Sequence, residues 1–186
     1  MFKVDAVTGH CRRRRHFLIK AIAGSAILAY RPGFANTKET VRELAFEHLH
    51  TGERLTAPYW ENGTYDSDAL QAINQVLRDH RTHDVENIDK DLLDMLFNLR
   101  QQLGVNRPYQ VISGYRSPKT NAMLQQNSNG VAKRSLHMQG RAIDVRIPRM
   151  DLTVMQKTAL QMQAGGVGYY QKSNFIHLDT GRVRYW

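Results

Sequence analysis

A single cysteine, Cys11, is all the thiol this chain has, and it lies ahead of the first apolar run, so it cannot be the lipid-bearing cysteine of a lipoprotein leader. From Asn36 onward there is none. That absence excludes disulfide staples, a thiolate nucleophile and cysteine-ligated zinc from the mature protein. Its chemistry must come from histidines, carboxylates, hydroxyls or a metal held by nitrogen and oxygen. Long hydrophobic runs are missing too. The apolar run from Ala21 to Tyr30 spans about ten residues, half of what a membrane-crossing helix needs. Internal repeats and low-complexity tracts are absent, which excludes solenoids, propellers and collagen-like arrays. With 186 residues there is room for one ordinary domain and one active site.

The short apolar run does have a context. It is preceded by Arg12 to Arg15 and Lys20 and followed by the small-residue exit Gly33-Phe34-Ala35, the order of an export signal. Residues 1–35 are therefore read as a removable signal and 36–186 as the functional domain. An uncleaved membrane anchor is the next reading, and a basic amphipathic helix on a cytosolic protein the one after. Arg14-Arg15-His16-Phe17-Leu18 resembles the twin-arginine export motif, which implies delivery of a folded protein to the periplasm. Setting the signal aside leaves 19 basic against 16 acidic side chains, a net charge of +3 in place of +9. The whole-chain pI of 9.9 thus says little about nucleic acid, whose binding needs clustered phosphate-neutralising cations. A small positive charge suits an anionic wall polymer better.

Along the mature chain, alternation from Val41 to Tyr59 around Thr51-Gly52 predicts a β-hairpin. Asp66-Ser67-Asp68 opens a helix expected to end near His80 to His83, and Asp89 opens another that runs to Leu103, with Gly104 as its stop. Tyr109 to Ile112 reads as a buried strand that delivers the polar loop Ser113 to Pro118. Thr120 to Gln126 then reads as a helix, and Asn127 to Arg134 as a surface loop. A strand at Ala142 to Ile147, a helix from Asp151 to Gln163 and strands at Val167 to Tyr170 and Phe175 to Leu178 complete a single α+β domain. A small antiparallel sheet is expected to bear the site, with helices on its other side.

Three side chains stand out by setting: His137 on a loop with Gly140 nearby, Asp144 on the strand that follows, and His177 on the last strand. Two imidazoles and a carboxylate leave a tetrahedral zinc one position open for water, as catalytic zinc sites do. Taken singly, each has an ordinary structural role open to it, a buried histidine bonded to a carbonyl or an aspartate capping a turn. Together they carry a resemblance. Ser135-x-His137-x-x-Gly140-x-Ala142-x-Asp144 with the later His177 resembles the zinc motif of the D-Ala-D-Ala carboxypeptidase and LAS (M15-like) peptidases, and Ser113 to Ser117 resembles their arginine loop. Val111 to Ser117, Gly130 to Lys133, and Ala164 to Gly181 resemble, more narrowly, the MepK (YcbK) murein endopeptidases.

The resemblance implies a Hedgehog/DD-peptidase-like fold and Zn2+ held by His137, Asp144 and His177. It also implies hydrolysis of peptidoglycan cross-links, notably those joining two diaminopimelate residues (3-3 links). Arg116 would bind a substrate carboxylate or stabilise the oxyanion. Apart from the resemblance, Tyr115, Ser117 and Ser135 are candidate substrate contacts by their setting, with core packing or bonds to the local backbone as their ordinary roles. Many relatives place a carboxylate three residues before the last zinc histidine, or a histidine two before it, whereas this chain has Asn174 and Phe175. Asp179 is then the nearest candidate, either as the general base or as the residue that orients His177. Peptidoglycan is the expected partner, nucleic acid is not, a membrane or lipoprotein adaptor stays open, and a monomer is expected. Tyr169, Tyr170 and Tyr185-Trp186 are candidate groove aromatics whose ordinary place is against a core; His48, His50, His80 and His83 are read as surface residues. The rival readings are a non-catalytic wall-binding module of the same fold and an exported D,D- or L,D-carboxypeptidase.

Overall fold

The computed structural model describes residues 40–127 and 131–186; the export signal read over residues 1–35 lies outside them, as do residues 128–130 of the predicted surface loop. Strand β1 (Val41–His48) turns inward at Leu44, Phe46 and His48, the period-two burial of a half-covered strand. It forms the expected hairpin with β2 (Arg54–Glu61), closed by Gly52 at φ +74°. His48 is fully buried, not superficial, because its Nδ1 accepts from the amides of His50 and Thr51 and so ties the hairpin turn. Burial pushes its pKa down to about 4. After the two-residue strand β3 (Thr64–Tyr65) comes helix α1 (Ser67–Val76), capped by the Asp66 carboxylate on the Ala69 amide.

Helix α1 stops several residues short of the predicted end. Asp79 accepts from the amide of Arg81 at 2.9 Å, and the chain bends there instead of continuing as helix. Helix α2 (Lys90–Gln102), capped by Asp89 and ended by Gly104 at φ +62°, buries Leu92, Leu93, Leu96 and Leu99 completely. Then follow β4 (Tyr109–Ser113), α3 (Pro118–Asn127), a 3-10 turn over Leu136–Gln139, β5 (Ala142–Arg146), α4 (Leu152–Met162), β6 (Gly166–Tyr170), β7 (Phe175–Asp179) and β8 (Arg184–Tyr185).

The strands make one sheet in the order β3-β2-β1-β4-β5-β7-β6-β8. The α+β assignment holds, but the sheet is larger than expected and mixed, since β1·β4 and β6·β8 run parallel. The β1 to β4 connection passes through β2, β3, α1 and α2 before it returns alongside, which is a long crossover and not a hairpin. The stretch that matters for chemistry, β4-β5-β7-β6, is antiparallel throughout. Ile143 and Val145 of β5, Ile176 and Leu178 of β7 and Val167 of β6 all enter the core, along with α2 and Met155 of α4. Strand alternation then forces Asp144, His177 and Asp179 onto the opposite face.

Candidate metal centre

Asp144 and His177 are direct cross-strand partners, so the ladder itself sets them side by side. His137 arrives from the 3-10 turn, which Gly140 ends at φ +63°, packed so closely on the Asn87 carbonyl that no side chain fits there. The His137 Nδ1–H donates to the Gly114 carbonyl at 2.8 Å, which leaves Nε2 to face the other two residues. For His177 the tautomer is reversed, because Nε2–H donates to Asp179 Oδ2 at 3.0 Å and Nδ1 faces inward.

The inward atoms form a triangle: His177 Nδ1 to Asp144 Oδ1 2.9 Å, His137 Nε2 to His177 Nδ1 3.2 Å, and His137 Nε2 to Asp144 Oδ1 3.3 Å. Bonds of about 2.0–2.1 Å in a tetrahedron put zinc ligands about 3.3 Å apart. The residues therefore fit a metal ion on one side and an open coordination position on the other. All three are buried at the floor of a cleft of about 850 Å³, whose walls include Arg116, Arg134, Tyr170, Phe175 and Trp186.

Electrostatics support the same arrangement. Burial opposes the Asp144 charge, but His137 and His177 outweigh it and hold the carboxyl well below the usual carboxylate range. Burial also opposes charge on His177, yet its hydrogen bonds to Asp144 and Asp179 win and raise the imidazole to about 9. Asp179 is fully buried. Its Oδ2 takes the far ring nitrogen of His177 and Arg184 Nη2 at 2.7 Å, and its Oδ1 takes Arg184 Nη1 at 2.9 Å and the Gly181 amide at 2.8 Å. Both oxygens are thus occupied, on the side of the imidazole away from the triangle. Asn174 and Phe175 bring no carboxylate to the cleft, whose acidic lining residues are Asp144 and Asp179.

The arginine loop is strapped down from two directions. The Tyr115 amide donates to the Leu77 carbonyl at 2.7 Å, and the Ser117 amide donates to the buried Asp79 Oδ2 at 2.8 Å. Gly114 is required because any side chain would meet the Leu77 carbonyl. Arg116 itself reaches Asp144 Oδ2 at 3.5 Å and Ser113 Oγ at 3.4 Å, both long, while its Nε meets no acceptor among the described residues.

Of the residues expected to flank the substrate, only Ser135 lines the cleft. Tyr115 and Ser117 do not. Tyr115 packs into the hydrophobic core, and the Ser117 hydroxyl caps α3 by accepting from the Thr120 amide at 3.2 Å.

The family model described as "Peptidoglycan L,D-endopeptidase MepK", of the M15 peptidases, matches residues 36–186. The chain belongs to this family. Its curated relatives include the peptidoglycan L,D-endopeptidase MepK of Escherichia coli K12, 41% identical over 187 residues and all of both chains. Another is the "Probable peptidoglycan L,D-endopeptidase MepK" of Haemophilus influenzae, 42% identical over 146 residues and 78% of each chain. Membership places the chain among metallopeptidases, and the His137, Asp144, His177 triangle is its possible metal site.

Sequence reasoning missed two supporting residues. Arg184 and Asp79 are arginine and aspartate in unremarkable stretches, and nothing local shows that each meets a partner in another element. Trp186, a candidate groove aromatic whose ordinary place is against a core, lines the cleft.

Proposed function

We propose that this chain is a periplasmic, zinc-dependent murein endopeptidase that hydrolyses peptide cross-links of peptidoglycan, in particular 3-3 links, and that it reaches the periplasm through its twin-arginine signal. The observation that carries the reading is the ligand triangle with edges of 2.9, 3.2 and 3.3 Å at the floor of a cleft beside an incompletely bonded arginine. Held there by His137 Nε2, Asp144 Oδ1 and His177 Nδ1, a zinc ion would lower the pKa of water to about 7 and polarise a carbonyl. Arg116 supplies a fixed cation for a substrate carboxylate or for the oxyanion that develops as the amide is attacked. Asp179 is assigned the orienting role, since its oxygens hold the His177 tautomer and bear Arg184. Metal analysis of the purified protein, coupled to digestion of sacculi and mass spectrometry of the products, tests the reading. Loss of 3-3 linked dimers with one zinc per chain supports it. Dimers that only lose terminal residues would reassign the protein as a carboxypeptidase, and a metal-free, inert protein would leave a wall-binding module.

The orienting role predicts that Asp179→Asn, which keeps an acceptor for Nε2–H but removes the charge, weakens metal affinity or activity by about 10–100-fold, measured by competition with a chelating dye. The pH dependence has a definite sign. In metal-free protein His177 is raised to about 9 from 6.5, so its protonation stabilises the fold fully below pH 6.5, and that contribution is lost as pH rises through 9. Chelator-treated protein should therefore melt at falling temperature from pH 6.5 to 9.5. Metal competes for the same nitrogen, so affinity should rise over that range, with proton release on binding. A flat profile for the chelator-treated protein would contradict the role of the Asp144 and Asp179 hydrogen bonds in favouring the charged His177.

A further inference from the structure

The last strand of the chain builds one wall of the cleft, and the packing there is too specific for a loose end. The Trp186 amide donates to the Val167 carbonyl at 3.3 Å, and its carbonyl accepts from the Tyr169 amide at 3.0 Å. The indole Nε1–H donates to the Tyr170 hydroxyl at 2.9 Å, and the Arg184 guanidinium lies 5.0 Å from the indole centroid. Gly168 is the cross-strand partner of His177, and a Cβ there would come within 2.7 Å of the indole. A glycine in the middle of a strand weakens it, and here it leaves the space that the indole fills. The result is an aromatic ring 5.2 Å from the His177 ring, centroid to centroid, and half exposed toward the cleft.

Two backbone bonds, one side-chain bond and a seat of glycine fix a large, half-exposed aromatic at the rim of a polar site. The ring provides a rigid apolar face at low conformational cost. Across the sheet the order is Arg116 after β4, Asp144 on β5, His177 on β7, then Tyr170 on β6 with Trp186 after β8. The ligand triangle thus lies between the under-bonded Arg116 and the Tyr170–Trp186 pair, beside which Arg184 is neutralised by both oxygens of Asp179.

We propose that Trp186 is a specificity-determining residue, whose indole receives the aliphatic side-chain stem of the residue flanking the scissile amide on the side opposite Arg116. The proposal rests on the endopeptidase reading and adds to it a polarity: a carboxylate at the Arg116 end and an apolar stem at the Trp186 end.

The test uses zinc-loaded protein and muropeptide dimers released from purified sacculi. Trp186→Ala is expected to lower kcat/KM by about tenfold, the scale of one lost apolar side-chain contact, through KM more than kcat, with zinc content unchanged. Trp186→Phe should recover most of the loss. Unchanged kcat/KM in Trp186→Ala would overturn the proposal. Should Trp186→Ala fail to fold or to hold zinc, a second measurement decides. Trp60 is the other tryptophan and lies on β2, so in Trp60→Phe the emission reports on Trp186 alone. Rapid mixing with dimers should change that emission before turnover, and a silent indole during measurable turnover would overturn the proposal. If Trp60→Phe and the wild-type chain both leave dimers intact, it is the endopeptidase reading that falls, and the two failures are told apart.

Discussion

Alanine in place of His137 or His177 is expected to abolish stoichiometric zinc binding and muropeptide release together. A structural zinc site with four ligands is worth about 10–16 kcal/mol in apparent binding free energy, so one ligand accounts for roughly 3–4 kcal/mol, or about 10²–10³-fold in affinity. Activity should fall at least as far, because the lost ligand also fixes the geometry of the open position. The two variants should differ in what else they disturb. His137 ties the 3-10 turn to the arginine loop through the Gly114 carbonyl, and the Arg116 amide donates back to the His137 carbonyl at 3.1 Å. His137→Ala should therefore loosen the arginine loop as well as the metal. His177→Ala instead leaves Asp179 bonded to Arg184 and Gly181, so the sheet beneath should stay intact. Hydrogen exchange at the 113–118 amides, compared between the variants, checks that difference. Full activity in either metal-free variant would refute the ligand assignment.

What was legible in the sequence was whatever depends on short range. The strands expected at Ala142 to Ile147 and Phe175 to Leu178 form within a residue of those bounds, with Asp144 and His177 on them. Asp66 and Asp89 gave the starts of α1 and α2 within a residue. What was not legible depends on pairings between distant segments. The parallel contact of β1 with β4 brings together Phe46 and Tyr109 with no local signal in either strand. The early end of α1 follows from Asp79, whose carboxylate serves the Ser117 amide 38 positions away. Tyr115 as a groove aromatic and Ser117 as a hydroxyl donor were candidate substrate contacts, but the fold puts the Tyr115 ring in the core and the Ser117 hydroxyl on the Thr120 amide. The motif of a site can thus be read along the chain while the residues that hold it in place cannot.

Arg116 carries the second large prediction, and its surroundings set the sign. Burial works against its charge while Asp144 holds the charge in place, so the guanidinium stays a cation despite being mostly enclosed. Its bonds to Ser113 and Asp144 are both near the outer limit of a hydrogen bond, and Nε meets no acceptor among the described residues. A buried donor set left under-used in the resting protein is one that substrate can complete. Removing a single donor of this kind from an oxyanion site costs about 10²–10³-fold in kcat. Arg116→Ala should therefore lose about that much activity on muropeptide dimers while it still binds one zinc per chain, which separates it from the histidine variants. Arg116→Lys should recover only part, since an ammonium offers a point charge without the planar fork. If the loss in Arg116→Ala appeared mainly as zinc depletion, Arg116 would be a support for Asp144 rather than a contact for substrate. Intact zinc with lost turnover, restored only fractionally by lysine, is the outcome that the two long bonds of Arg116 lead us to expect.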